Sequence, residues 1–148
     1  MAQETSKLPS VIVRTLDGKE FNAAKISNDG KPIILSFWAS WCRPCIKELS
    51  AIAEVYDDWK EETGLILIAV SVDDSRTQNN VRPMINSRGW DYLFYLDPNG
   101  DFKRAMGVVD VPHTFIINSA GQVVYQHTTY SEGAELELIK KIRELVKK

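Results

Sequence analysis

Two rhythms of apolar and polar residues run along this chain. Val11–Leu16 is rich in β-formers, Asp17-Gly18 marks a tight turn, and Lys19–Asn22 returns as the second arm of a hairpin. Ile33–Trp38 is an apolar run of strand length. Residues 43–62 carry Ile46, Leu49, Ala53 and Tyr56 at helical spacing, with Gly64 as the stop. Leu65–Val72 is almost wholly apolar, the pattern of a central parallel strand covered on both faces. A helix is predicted over about 77–88, closed by Gly89, and Pro83 within it implies a late start or a kink. Tyr92–Leu96 reads as a short strand, with Tyr92, Phe94 and Tyr95 as core. The turn Pro98-Asn99-Gly100 and a short helix to Met106 follow. His113–Asn118 and Gln122–His127 form a hairpin around Ser119-Ala120-Gly121. A last helix from about Glu132 shows Leu138, Ile139, Ile142, Leu145 and Val146 on one stripe. Strands alternating with helices, then a closing hairpin, predict an α/β sandwich with a mixed sheet and right-handed crossovers between its parallel strands.

Residues 1–10 are polar and read as a flexible lead, and 11–148 as one domain without repeats or a low-complexity linker. At 148 residues with 44% hydrophobic side chains, the chain can build a core without metals or disulfide staples. Its 18 basic and 20 acidic residues leave a net charge of -2. That balance carries no footprint of a nucleic-acid groove or a polybasic membrane patch. No apolar run approaches the ~20 residues that span a bilayer. The polar start Met1-Ala2-Gln3-Glu4 suggests an initiator methionine placed ahead of a trimmed sequence, with an export signal or anchor removed.

The candidate chemistry is concentrated in Cys42-Arg43-Pro44-Cys45, which holds the only two cysteines. The segment lies between a predicted strand and the start of a predicted helix. A helix N-terminus carries partial positive charge and free N–H groups, which stabilise a thiolate, and Arg43 adds a full charge nearby. Cys42 is therefore the expected exposed nucleophile and Cys45, one turn on, the buried resolving thiol. Pro44 suits the first helical turn, where a missing N–H costs nothing. A structural disulfide over so short a loop would add little stability. Zinc usually takes four ligands, and only His113 and His127 are left to add, at the wrong spacing. A c-type haem site would need histidine where Ile46 stands. No metal, nucleotide, flavin or other cofactor is expected beyond a redox-active Cys42–Cys45 disulfide.

Phe37-Trp38-Ala39-Ser40-Trp41-Cys42-Arg43-Pro44-Cys45 resembles the thioredoxin active-site segment, and Val111-Pro112-His113-Thr114-Phe115 resembles the cis-proline loop of that fold. The leading hairpin and the extra strand–helix unit between Leu65 and Gly89 look like the TlpA/ResA/DsbE-type branch of extracytoplasmic thiol–disulfide oxidoreductases. The resemblance implies a thioredoxin-like three-layer sandwich and a cis Val111–Pro112 bond beside the cysteines. It also implies dithiol–disulfide exchange with protein substrates, mainly as a reductant recharged by an upstream electron donor, outside the cytoplasm. Trp41, Arg43, Pro44, Val111 and Pro112 become candidate site-shaping or substrate-binding residues, with the Val111 backbone free to pair with an extended substrate.

The pattern departs from thioredoxin in its acids. Thioredoxin carries a buried aspartate in the strand before the motif, and Ser36 stands at the matching position. Asp74 matches an acidic residue that follows the central strand in the ResA-like branch; the plainer alternative is a polar strand-end residue capping the next helix. Glu48 matches an acid common after the family motif, or is a charge helping the helix dipole. His113 is either a solvated residue at the rim or a group that tunes the cysteines or takes part in proton transfer, and with Asp74 and Glu48 it is a candidate acid/base residue. Asp110 would oppose thiolate formation. Two rival functions are a peroxiredoxin-type thiol peroxidase and a binding module that kept the fold. The first usually places threonine where Ala39 stands, and the retained cysteine pair argues against the second.

Overall fold

Successive side chains of a strand point to opposite faces, and here that alternation builds an apolar layer on each side of one sheet. The computed structural model describes residues 8–147. Residues 1–7 of the expected lead and residue 148 of the expected domain lie outside the described residues. The strands are β1 (Ile12–Thr15), β2 (Glu20–Asn22), β3 (Ile33–Trp38), β4 (Ile66–Ser71), β5 (Leu93–Leu96), β6 (His113–Ile117) and β7 (Val123–Thr128). They form a mixed sheet in the order β2-β1-β5-β4-β3-β6-β7. β3, β4 and β5 are mutually parallel. β1 pairs antiparallel with β5, β6 with β3, and β7 with β6.

Five helices, α1 (Arg43–Ala53), α2 (Tyr56–Thr63), α3 (Val81–Arg88), α4 (Asp101–Ala105) and α5 (Glu135–Val146), complete a thioredoxin-like three-layer α/β fold. On one face Ile34, Trp38, Leu67 and Ile116 pack with Leu49 and Ile52 of α1, Trp59 of α2, Ile85 of α3 and Leu138 and Ile142 of α5. On the other, Leu35, Phe37, Val70 and Phe115 pack with Phe102 of α4 and Val13 of β1. Phe37 meets Phe102 and Phe115 edge-on at 5.1 and 5.9 Å. Each such side chain, fully buried, contributes about 1.5–3 kcal/mol, so both layers hold β3, the strand that delivers the cysteines, rigidly in place.

The helix expected over 43–62 is two helices. Val55 leaves the helical region (φ -121°, ψ 4°), and its N–H bonds the Ile52 carbonyl at 3.0 Å. The buried positions Cys45, Leu49, Ile52, Tyr56, Trp59 and Thr63 keep helical spacing straight through the break, so the period does not reveal it. Ile52, and not Ala53, belongs to the buried stripe. Gly64 ends α2 at φ 77°, a left-handed cap that favours glycine. The late start expected from Pro83 is observed: a 3-10 turn at Gln78–Asn80 leads into α3, and Pro83 falls in its first turn.

Candidate active site

Cys42 is the N-cap of α1, with extended backbone (φ -98°, ψ 104°) and a carbonyl that accepts from Ile46 N–H at 3.1 Å. Arg43 and Pro44 fill the exposed first turn. Pro44 stands where the helix has no partner for an N–H. Cys42 and Cys45 are joined as a disulfide, with Cα atoms 5.3 Å apart. Cys45 N–H points at Cys42 Sγ at 3.3 Å, so the helix end directs a donor at the Cys42 sulfur. Both cysteines are covered, Cys42 at 5% and Cys45 at 1% exposure, and the exposed Cys42 expected from sequence is not seen in this oxidised form. Position still separates them: Cys42 closes the helix end and Cys45 lies one turn inside.

The Val111–Pro112 bond is cis. The Val111 carbonyl oxygen lies 3.7 Å from Cys42 Sγ. Beside it opens a cleft lined by Trp41, Val72, Val109 and Val111 together with Lys103 and Arg104. Trp41, at 63% exposure, and Val109 leave large apolar surfaces in water next to the disulfide. Asp110 lines the same cleft and is exposed.

The acidic candidates separate sharply. Asp74 is half-exposed and paired with Arg76. It caps the turn at Arg76, accepting from its N–H at 2.9 Å and its guanidinium at 3.2 Å. These bonds hold its carboxyl below the usual range. This is the strand-end alternative, and the reason is its neighbour: Asp73 takes the inward position. Asp73 Oδ1 accepts from Ser40 N–H at 2.9 Å and Ser71 Oγ at 2.6 Å. Its Oδ2 accepts from Ser40 Oγ at 2.5 Å and Thr77 Oγ1 at 2.7 Å. Asp73 thus clamps the Ser40–Trp41–Cys42 turn to the end of β4. Sequence reading passed it over, because two adjacent aspartates at a strand end differ only in which face they take.

Glu48 is buried, at 1% exposure, in the second turn of α1. Its Oε1 accepts from Thr114 Oγ1 at 3.0 Å, and its Oε2 lies 2.8 Å from His127 Nε2. Ser36, Thr114 and His127 are successive cross-strand partners on β3, β6 and β7. They form a polar row beneath α1. His113 is not with them. It alternates to the opposite face, stacks on Phe115 at 4.4 Å and pairs through Nε2 with Gln126 Oε1 at 2.8 Å. It is buried, where a solvated rim position was expected. Thr114 and His127 carried no local signal as site residues; only the register of the closing hairpin places them under α1.

No three His, Cys, Asp or Glu side chains gather as a metal site among the described residues. No helix among them is long and apolar enough to cross a membrane.

Residues 5–126 match the AhpC/TSA family. The thiol–disulfide oxidoreductase ResA of Bacillus thuringiensis is 30% identical over 135 residues, covering 90% of this chain and 75% of its own. Sporulation thiol–disulfide oxidoreductase A of Bacillus subtilis is 28% identical over 126 residues, covering 82% and 74%. A thioredoxin-like protein from Porphyromonas gingivalis, solved in solution, is 52% identical and superposes with a TM-score of 0.84 over 95% of this chain and 92% of its own.

Proposed function

The chain belongs to the AhpC/TSA family, as one of its thioredoxin-like thiol–disulfide oxidoreductases, and we propose that it reduces protein disulfides, with Cys42 as nucleophile and Cys45 as resolving thiol. The observation that carries this reading is the Cys42–Cys45 disulfide at the N-terminus of α1, with the Cys45 N–H directed at Cys42 Sγ.

In the first step the Cys42 thiolate attacks one sulfur of a substrate disulfide. A Cys42–substrate disulfide forms, the substrate S–S bond breaks, and the departing thiolate takes a proton from water. In the second step Cys45 gives up its proton and attacks Cys42 Sγ. The Cys42–Cys45 bond forms and the remaining substrate sulfur leaves with the electron pair. The substrate gains the two electrons that the cysteine pair loses, and its second thiolate, like the first, takes its proton from water. Glu48, buried one turn from Cys45, is the acid/base group that takes the Cys45 proton; Asp74, tied to Arg76, has no such part. The Val111 backbone and the apolar cleft at Trp41 and Val109 receive an extended peptide around the substrate cysteine.

Charge acts on direction in both senses, and the resemblance to the TlpA/ResA/DsbE branch favours reduction. The helix end and Arg43 favour the Cys42 thiolate, and hence the reduced state. A buried carboxylate at Glu48 disfavours further negative charge beside Cys45 and so favours the disulfide. We assign the pair to the reducing end of the scale, about -270 mV, far from strong oxidants near -120 mV. The resemblance to the TlpA/ResA/DsbE branch supports work outside the cytoplasm, recharging by an upstream dithiol donor, and no cofactor beyond the disulfide. A peroxidase has less support, since Ala39 occupies the place of its usual threonine.

Insulin reduction measured beside peroxide consumption tests the reading. Reduction that depends on both cysteines, with slow peroxide turnover, is expected; rapid peroxide turnover without reduction would overturn it. Equilibration against glutathione buffers tests direction, and a potential at the oxidising end would reverse it.

A further inference from the structure

The carboxylate of Glu48 has no path to water of its own. Thr114 Oγ1 occupies one oxygen and His127 Nε2 the other, at 3.0 and 2.8 Å. Yet the second step leaves a proton on that carboxyl each time Cys45 attacks. Of the two partners, the threonine hydroxyl is itself fully buried. The imidazole is not: the His127 side chain is 16% exposed. Its outer nitrogen, Nδ1, lies 3.3 Å from Tyr125 Oη. An imidazole can accept a proton on one ring nitrogen and release one from the other.

We infer that His127 is a positioning residue for the exchange reaction: it fixes the buried Glu48 carboxylate beneath Cys45 and carries the resolving proton from it to solvent. This rests on the reading of Cys42 and Cys45 as an exchange pair. The transfer balances as a single proton. It starts from the tautomer with hydrogen on Nδ1, donated to Tyr125 Oη. Nε2 takes the proton from Glu48, the ring passes through imidazolium, and Nδ1 gives its hydrogen to water at the rim; the ring, left with hydrogen on Nε2, is reset to the starting tautomer by exchange of its ring hydrogens with water before the next turnover. Glu48 is then an anion again.

The surroundings leave His127 as the group suited to this task. On α1, Glu48 faces it, and Cys45 lies one turn before Glu48. On β7, Tyr125 lies beside it. From α5, Lys141 Nζ sits 5.7 Å over the Tyr125 ring, and Glu137 acts on the same tyrosine. Tyr92 and Tyr130, the latter bonded to Glu135, also feel the Glu48 charge. Burial, first of all, raises the three tyrosines above their ordinary value, so they stay neutral across the working range. His113 is on the other face of the sheet.

The test separates the two chemical steps. Reduced protein mixed with an aromatic disulfide such as dithiobis(nitrobenzoate) releases one coloured thiolate when Cys42 attacks and a second when Cys45 resolves. His127→Gln keeps a donor for Glu48 but cannot relay a proton. It is expected to leave the first phase intact and slow the second about tenfold or more. The second-phase pH profile should lose one ionisation. In His127→Ala, imidazole added to the buffer should restore the rate, which a purely structural role would not produce. His113→Gln should leave the profile unchanged. Superimposable second-phase profiles for wild type and His127→Gln would overturn the inference. Failure of the wild type to release a second equivalent would instead overturn the exchange reading itself. Should the substitutions prevent folding, carbethoxylation of the oxidised wild type, mapped to His127 and reversed by hydroxylamine, gives the same test: slowed and then restored resolution supports the relay, and unchanged resolution overturns it.

Discussion

Replacing Asp73 by alanine is the most direct test of how this fold holds its disulfide. Four donors converge on that buried carboxylate: Ser40 N–H, Ser40 Oγ, Ser71 Oγ and Thr77 Oγ1, at 2.5–2.9 Å. Hydrogen bonds to a charged acceptor contribute about 1.5–3 kcal/mol each, roughly 6–12 kcal/mol together before desolvation. Keeping an ion in the interior costs several kcal/mol, which the alanine variant recovers. The three hydroxyls can turn to other acceptors, but the Ser40 N–H is fixed by the backbone. Left unpaired, it costs about 1–3 kcal/mol. The net expectation is a loss of about 3–4 kcal/mol, or roughly 10 °C in Tm for a chain of this size. Asp73→Asn keeps one acceptor and should lose about half as much. Urea unfolding of the oxidised proteins measures this, with an unchanged slope and a lowered midpoint as the signature. Asp74→Ala, which breaks an exposed ion pair and turn cap at Arg76, is the comparison and should cost about 1 kcal/mol. An Asp73→Ala loss under 1 kcal/mol, or an Asp74→Ala loss of equal size, would refute the clamp.

Three further outcomes follow from the site and its surroundings. Iodoacetamide at neutral pH should label Cys42 of the reduced protein faster than Cys45, because the Cys45 N–H and the helix end favour the Cys42 thiolate; peptide mapping that found mainly Cys45 labelled would reverse the roles. Trp41→Ala, which strips the exposed ring from the cleft, should slow insulin reduction several-fold and leave reaction with a small disulfide nearly unchanged; equal slowing of both would mean that the ring acts on the cysteines and not on the substrate. Tyr92 is buried, and burial followed by the nearby Tyr56 and Glu48 charges raises its hydroxyl above 10.0. A group raised in the folded state contributes stability that is full below its unfolded value and lost as pH climbs past it. Tyr92→Phe, which forfeits the 2.5 Å bond to the Leu49 carbonyl, should therefore be about 1 kcal/mol less stable at pH 7, with the gap closing above about pH 10; a gap that stayed constant with pH would contradict this.

What the sequence made legible was whatever is written in local period and in short motifs. The strand runs, the cysteine pair at a strand-to-helix junction and the proline after Val111 all came from neighbours within a few residues. Where the reading missed, the deciding contact was distant. Asp73 and Asp74 are interchangeable by composition, and only the docking of Ser40, 33 residues earlier, decides which one turns inward. The break at Val55 is silent because a buried stripe continues through it. His113 was placed near the cysteines by adjacency to Pro112, yet strand alternation sends it to the far face while Thr114 takes the near one.

The same geometry explains how this chain manages without an acid in the strand before its motif. A carboxylate on that strand would rise from the position of Ser36, whose hydroxyl has no hydrogen-bonding partner among the described residues. The buried acid of this chain stands on the helix instead, at Glu48, three residues beyond Cys45. That spacing puts it on the same helical face as Cys45. A buried carboxylate needs partners, and a helix that packs on a sheet can find them only in the strands below. β6 supplies Thr114 and β7 supplies His127, and their pairing opposite each other brings one partner to each carboxylate oxygen. Because the second partner comes from an edge strand, it reaches the rim of the layer. The buried acid therefore meets a side chain that is itself 16% exposed, whereas an acid at position 36, on a strand flanked by β4 and β6, would lie deeper in the sheet.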